Sequence, residues 1–288
     1  MPGPRFATGE KRAGGRMATV RFVPLREKTC MLGVVPDLKT LLIVCPLVFI
    51  GSFVDAIAGG GGLITLPAYL MCGLPAHQAI GTNKLSSMVG TTFSTGRFIR
   101  NGFVNWKLAL PAVACALVAS AGGAQLSMML DESLFRWILI VALPVVAVVT
   151  LRKKSLRPET LEMTHGRRMA AVCATPAVCG MYDGFYGPGT GTFMILGFSL
   201  LAKLGVRDCA GLTKCANLAS NVAGFASFAI AGHSWYLLGL IASVFSIAGH
   251  TLGAGMVVRD GSKIVRPVII CVLAILFVKT GLEALRIG

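Results

Sequence analysis

The chain carries one unusual sequence pattern twice. An aspartate followed by a glycine-rich stretch occurs at residues 55–62 and again at residues 183–191. Downstream, each copy has a lysine within a largely apolar segment, Lys84 in the first and Lys214 in the second. The matching positions are about 128 to 130 residues apart throughout. A repeat whose apolar segment is broken at the same place in each copy is typical of the binding site of a membrane transporter.

The composition indicates a membrane protein. Of the 288 residues, 55% are hydrophobic and 14% are charged, whereas soluble domains carry about 25% charged residues. Apolar runs such as 134–151 and 265–282 approach the length of about 20 residues that a bilayer-spanning helix needs. We therefore predict an all-α, polytopic transmembrane helix bundle that lies in the lipid bilayer of the cell (inner) membrane.

The apolar segments also predict how the chain is divided. Two pieces, 63–73 and 192–204, are too short to cross alone and are interpreted as half-helices or re-entrant segments. We predict a disordered basic tail (1–36), a first repeat of about four spans (37–151), a cytoplasmic basic linker (152–168) and a second such repeat (169–288). The eight predicted spans are 38–57, 77–99, 107–128, 134–151, 169–186, 208–231, 235–257 and 265–285.

The basic residues predict orientation. The net charge is +15, with eight of the 27 basic residues in the first 39 positions and six more in 152–168. These segments flank apolar spans, where Lys and Arg mark the cytoplasmic side, so nucleic acid is not an expected partner. Both termini are then cytoplasmic and the repeats parallel, although Arg259, Lys263 and Arg266 fall outside in this arrangement. Five crossings per half would instead invert the second repeat.

Cysteine and histidine give no sign of a metal site. Most of the nine cysteines lie in apolar stretches without C-x-x-C spacing, and the four histidines are scattered. Such cysteines behave as small buried hydrophobic residues. We predict no metal and no cofactor, and the sequence does not indicate an oligomeric state.

The glycines of the two breaks are candidate ligands of a small anion. Their bare amide groups, next to the N-terminus of a short helix, can form a nest that binds negative charge. The alternative is that they only allow close packing of helices. The candidate glycines are Gly59, Gly60, Gly61 and Gly62 in the first break and Gly187, Gly189 and Gly191 in the second.

Four charged residues accompany these glycines. Lys84 and Lys214 are candidate substrate ligands, with Asn83 as a polar neighbour, because an ionisable residue within a span is functional by default. The alternatives are that the lysines snorkel to the surface or pair with aspartates. Asp55 and Asp183 could carry coupled protons, pair with the lysines or cap helices.

A second class of function is an intramembrane aspartyl protease-like enzyme that uses Asp55 and Asp183. Such enzymes have two membrane aspartates, one in a Tyr-Asp context, and Tyr182 precedes Asp183 here. Their other aspartate follows Gly-x-Gly, a pattern that the residues before Asp55 do not supply. We therefore expect a protein that is not an enzyme.

The paired motifs resemble the TauE/SafE sulfite exporter family, in particular its YfcA-like branch of probable membrane transporters. The resemblance is carried by residues 55–67, 82–85 and 182–188 and by Lys214, and it covers about residues 40–285. It implies a secondary transporter of sulfite, an organosulfonate or a related anion. The binding site is then expected between the repeats.

Overall fold

The computed structural model describes residues 35–130 and 159–260, and within these ranges the only regular secondary structure is eight α-helices. The predicted spans 134–151 and 265–285 and most of the predicted tail lie outside the described residues. The helices are α1 (Leu38–Ala58), α2 (Gly62–Met71), α3 (Ala76–Arg100), α4 (Trp106–Met128), α5 (His165–Phe185), α6 (Thr190–Leu200), α7 (Val206–Ile230) and α8 (Tyr236–Asp260).

The predicted all-α membrane bundle is confirmed. Three helices of the described ranges are long and apolar enough to cross a membrane: α1, α4 and most of α8. The helices α3, α5 and α7 are as long but more polar, because α3 and α7 carry buried lysines and α5 starts with a polar turn. Helix α5 begins at His165, within the range 152–168 that the sequence predicts as a linker.

Two short helices double back inside the bundle. Helix α1 ends at Ala58, and the next residue, Gly59, has a left-handed φ of 73° and donates its N–H to the carbonyl of Asp55 at 2.8 Å. Helix α2 then returns along α1, so that Gly51 lies against Thr65. In the second half α6 returns along α5 in the same way, with Gly197 against Thr175.

The two halves of the described chain are packed into each other. The most extensive helix contacts join α4 to α5 and α1 to α8, and α3 packs against both α7 and α8. Small residues allow the close approach. Gly249 lies against the backbone of Phe49, and Gly184 lies against the backbone of Ser120. Interfaces of this kind are typical of membrane helices, which associate through tight packing of small residues.

The matched helices α3 and α7 run in opposite directions. The side chain of Lys84, early in α3, reaches Asn221, late in α7. At the other end of the pair, Arg207 donates to the carbonyl of Asn101 at 3.0 Å. The second half is therefore inverted with respect to the first within the described residues, and the parallel arrangement predicted from the sequence is wrong. The sequence predicts the short pieces as half-helices or re-entrant segments, but the predicted parallel arrangement treats α1 and α5 as full crossings.

The helix directions place residues 38 and 165 at opposite ends of the bundle. One end holds the starts of α1, α3 and α8, and there His77 is hydrogen-bonded to the carbonyl of Ser127. The other end holds the start of α5, where Thr160 donates to Asp208 at 2.7 Å. These directions do not fit one shared face for residues 38 and 165, and the orientation in the membrane stays a prediction.

Candidate functional site

A small polar cavity lies where the two helical hairpins turn. Its volume is about 30 Å³, which is room for one or two water molecules. Glycines from both breaks line it, together with polar side chains from α1, α3, α5, α7 and α8. The lining residues are Gly51, Ser52, Asp55, Gly59, Gly61, Gly62, Thr65, Asn83, Lys84, Ser87, Asp183, Gly187, Thr190, Gly191, Asn217, Asn221 and His250.

The two glycine-rich breaks are in direct backbone contact. A Cβ placed on Gly59 would lie 2.3 Å from the carbonyl carbon of Gly191, and one on Gly191 would lie 2.5 Å from the Cα of Gly59. The next residue, Thr192, donates its N–H to the carbonyl of Gly59 at 3.2 Å and its hydroxyl to that of Ala58 at 2.7 Å. Only residues without side chains fit at this contact.

Two buried ion pairs cross between the halves. Lys214 Nζ of α7 lies 2.8 Å from Asp55 Oδ2 of α1, and Lys84 of α3 is paired with Asp183 of α5. Both lysines are 2% exposed, so neither reaches the surface by snorkelling. Each half thus supplies the cation for the carboxylate of the other half. A charge placed in the interior requires such a partner, because an unpaired buried ion is strongly destabilising.

The carboxylates already occupy the groups that the sequence suggests as anion ligands. Asp55 accepts a hydrogen bond from the N–H of Gly61 at 3.3 Å, at the start of α2, and lies 3.5 Å from the amide of Asn217. Asp183 accepts from the hydroxyl of Ser220 in addition to Lys84. The site therefore holds its own internal anions, one at each break.

The structure brings most of the predicted site residues to the cavity. Gly60, Gly189 and Lys214 are the candidates that do not line it. Lys214 is joined to it through Asp55, and Gly189, with φ of 84°, precedes α6. Gly60 is buried within the first break.

Sequence reasoning missed one titratable residue of the cavity wall, His250. It lies in α8, is 1% exposed, and its Nε2 is 3.8 Å from Asp55 Oδ2. The available signal was a histidine within an apolar span. It had no counterpart in the first half, where Ser120 stands at the repeat offset. Thr65 and Ser87 were missed because hydroxyl residues are common in such helices.

Comparison with known proteins gives the family. The family model described as "Sulfite exporter TauE/SafE" matches residues 44–280. The chain belongs to this family. It is therefore a member of a membrane transporter family, and its apolar helices place it in a membrane. No solved structure matches the chain.

Several similar proteins carry transporter names. The probable membrane transporter protein ORF9 of Sinorhizobium sp is 35% identical over 83% of this chain and 92% of its own length. A probable membrane transporter protein of Haemophilus influenzae is 35% identical over 77% of this chain and 87% of its own. The probable membrane transporter protein YfcA of Escherichia coli is 32% identical over 80% and 85%. None of these names states a substrate.

Proposed function

We propose that this TauE/SafE protein is a secondary transporter of a small anion, sulfite or an organosulfonate, and that the cavity between the two hairpins is its substrate site. The observation that carries the proposal is the convergence of two glycine breaks and two crossed Lys–Asp pairs on one buried cavity. Charged groups inside membrane proteins are costly and mark substrate pathways. The family description names sulfite as the cargo of an exporter.

In this proposal the substrate competes with the internal carboxylates. An anion that binds Lys214 replaces Asp55 as the partner of its ammonium group. An anion that binds Lys84 replaces Asp183 in the same way. A lysine and an anion 4 Å apart attract each other by about 4 kcal/mol at an effective dielectric constant of 20, before desolvation. The exchange of one anion for another keeps each lysine paired, which lowers the cost of entry.

The proposal also requires movement. A cavity of about 30 Å³ holds one or two waters but not a sulfur oxyanion with several heavy atoms. The hairpins α1–α2 and α5–α6 meet at their turns, where Gly59 contacts Gly191, Gly62 lies against Pro188 and Thr192 donates two hydrogen bonds. We expect one hairpin to move relative to the other when substrate enters, as one repeat moves against the other in alternating access.

The geometry does not favour the protease-like alternative. Aspartic proteases use two carboxylates that share one proton. Here Asp55 and Asp183 are each bound to a different lysine. Two separately neutralised carboxylates lack the arrangement that activates a water molecule.

Flux into proteoliposomes tests the proposal. Purified protein is reconstituted, and uptake of radiolabelled sulfite and of methanesulfonate is compared with uptake into protein-free liposomes. We expect protein-dependent flux of at least one of them that saturates with concentration. Glucose, which carries no charge, serves as the control solute. The proposal fails if neither anion moves faster than it does into protein-free liposomes.

A further inference from the structure

His250 lies close enough to Asp55 to replace Lys214 as its ion-pair partner. The same carboxylate oxygen, Oδ2, is 2.8 Å from Lys214 Nζ and 3.8 Å from His250 Nε2. At 3.8 Å the imidazole makes no hydrogen bond, but a small side-chain movement closes the gap. The other ring nitrogen, Nδ1, is buried and has no hydrogen-bond partner within the part of the chain that the structure describes.

The charges around the cavity balance when His250 is neutral. The titratable and charged groups around His250 are Asp55 from α1, Lys84 from α3 and Asp183 from α5, which line the cavity with it, and Lys214 from α7, which is paired with Asp55. Two positive and two negative charges sum to zero. An added anion leaves one negative charge uncompensated in a buried site, which is strongly unfavourable.

The first half offers no equivalent of His250. At the repeat offset from His250 lies Ser120, whose hydroxyl donates to the carbonyl of Ser220 at 2.7 Å. Asp183 is held by Lys84 and by the hydroxyl of Ser220. The two ion pairs are therefore related by the repeat but differ in chemistry, because among the described residues only the carboxylate of Asp55 has a histidine beside it.

We propose that His250 is a proton-binding site that couples proton movement to anion movement, an inference that rests on the proposed transport function. When the substrate anion takes Lys214, Asp55 loses its cation. His250 binds a proton from water and becomes the new partner of Asp55. With a monovalent anion, such as hydrogen sulfite or a sulfonate, the loaded site gains one negative and one positive charge and stays balanced. On the other side of the membrane the anion leaves, Asp55 returns to Lys214 and the imidazole releases its proton.

Proton and anion then strengthen each other's binding. Protonated His250 removes the competition of Asp55 for Lys214, so the anion binds more tightly. By linkage the bound anion raises the proton affinity of the imidazole by the same factor. One proton should therefore move with each anion in the same direction. A pH difference of about one unit corresponds to a tenfold ratio for one coupled proton.

The test compares His250→Gln with the wild type in proteoliposomes, using radiolabelled sulfite. Gln keeps hydrogen-bonding capacity but cannot bind a proton near neutral pH. Accumulation of sulfite is measured with the liposome interior about one pH unit more alkaline than the outside. Exchange of internal for external sulfite is measured with equal pH on both sides. One coupled proton raises the inside-to-outside concentration ratio of the anion about tenfold per pH unit. We therefore expect the sulfite accumulated by the variant, relative to its exchange rate, to be about tenfold lower than in the wild type. The protonation of sulfite itself contributes equally to both proteins.

His77→Gln is the matched control. His77 is also a buried histidine, but it is hydrogen-bonded to the carbonyl of Ser127 at 2.9 Å and does not line the cavity. It should behave as the wild type. If His250→Gln moves no sulfite in either assay, His250→Ser, which copies Ser120 of the first half, is measured in the same way.

The outcomes separate the two proposals. If the wild type exchanges sulfite but does not respond to the pH gradient, the coupling proposal is wrong and the transport function is still supported. An unchanged ratio in His250→Gln also overturns the coupling. If both His250 variants are inactive, the residue is needed for anion binding itself and the coupling proposal fails. If the wild type moves neither sulfite nor methanesulfonate, the transport function fails first.

Discussion

Lys214 Nζ lies 2.8 Å from Asp55 Oδ2, and the two residues belong to different halves of the chain. Lys84 and Asp183 form the reciprocal pair. Each lysine is thus the counterion of the opposite half, and the two pairs join the halves at the cavity. Their removal should affect folding as well as transport.

Neutralising one member of a pair should destabilise the protein. Lys84→Met leaves the buried carboxylate of Asp183 without its cation, which costs about 3–5 kcal/mol. The double variant Lys84→Met with Asp183→Asn removes both charges and should recover most of the lost stability. Thermal unfolding in detergent measures the effect, and sulfite flux should be lost in both variants.

The exposed Lys107→Met is the control for this pair of variants. Its side chain lies at the surface near the start of α4, so stability and flux should stay close to those of the wild type. A wild-type melting temperature for Lys84→Met would show that the pair contributes nothing to stability.

The backbone contact between the two breaks should tolerate no side chain. Gly191→Ala places a methyl group 2.5 Å from the Cα of Gly59, and Gly59→Ala adds the strain of a positive φ. We expect each to cost at least about 1–3 kcal/mol, as overpacked cores do, and to abolish sulfite flux. Gly96→Ala is the control, because a Cβ there meets no atom within 4 Å. Folded, active Gly191→Ala protein would contradict the contact.

The hydroxyl of Thr192 adds a side-chain hydrogen bond between the second hairpin and the end of α1. Thr192→Val keeps the size of the side chain and removes its hydrogen bond to the carbonyl of Ala58, which should lower stability by about 1 kcal/mol. Thr92→Val is the matched control, because the hydroxyl of Thr92 is exposed and donates to the carbonyl of Met88 within the same helix. Thermal unfolding of the two variants side by side gives the answer, and equal melting temperatures would count against the role of Thr192.

The helix directions predict which loops share a face. The end near Glu162 also carries Arg100, Lys107 and Arg207, so the positive-inside rule predicts that this end is cytoplasmic. Reporter fusions after Glu162 and Asp260 should then be active in the cytoplasm, and a fusion after Gly232 should be active outside it. The parallel arrangement predicts the reverse for Gly232 and Asp260. A cytoplasmic signal at Gly232 would therefore overturn the inverted arrangement.

Much of this protein could be predicted from its sequence, because the relevant signals are local. Composition and the length of the apolar runs indicate a helical membrane bundle. The breaks at Gly59 and Gly187 coincide with left-handed backbone, which favours glycine. The offset between the copies correctly matched Asp55 with Asp183 and Lys84 with Lys214 as residues in equivalent places.

Only the tertiary structure decided which of these residues meet. A repeat relates Asp55 to Asp183 by position, but the pairs cross between the halves because α3 and α7 run antiparallel. The direction depends on α2 and α6 folding back, and apolar content is the same whichever way a helix runs. His250 joins the site through the packing of α8 on α1, a contact between distant parts of the chain. Periodicity and spacing describe neighbours along the sequence, whereas a site of buried charges is built from neighbours in space.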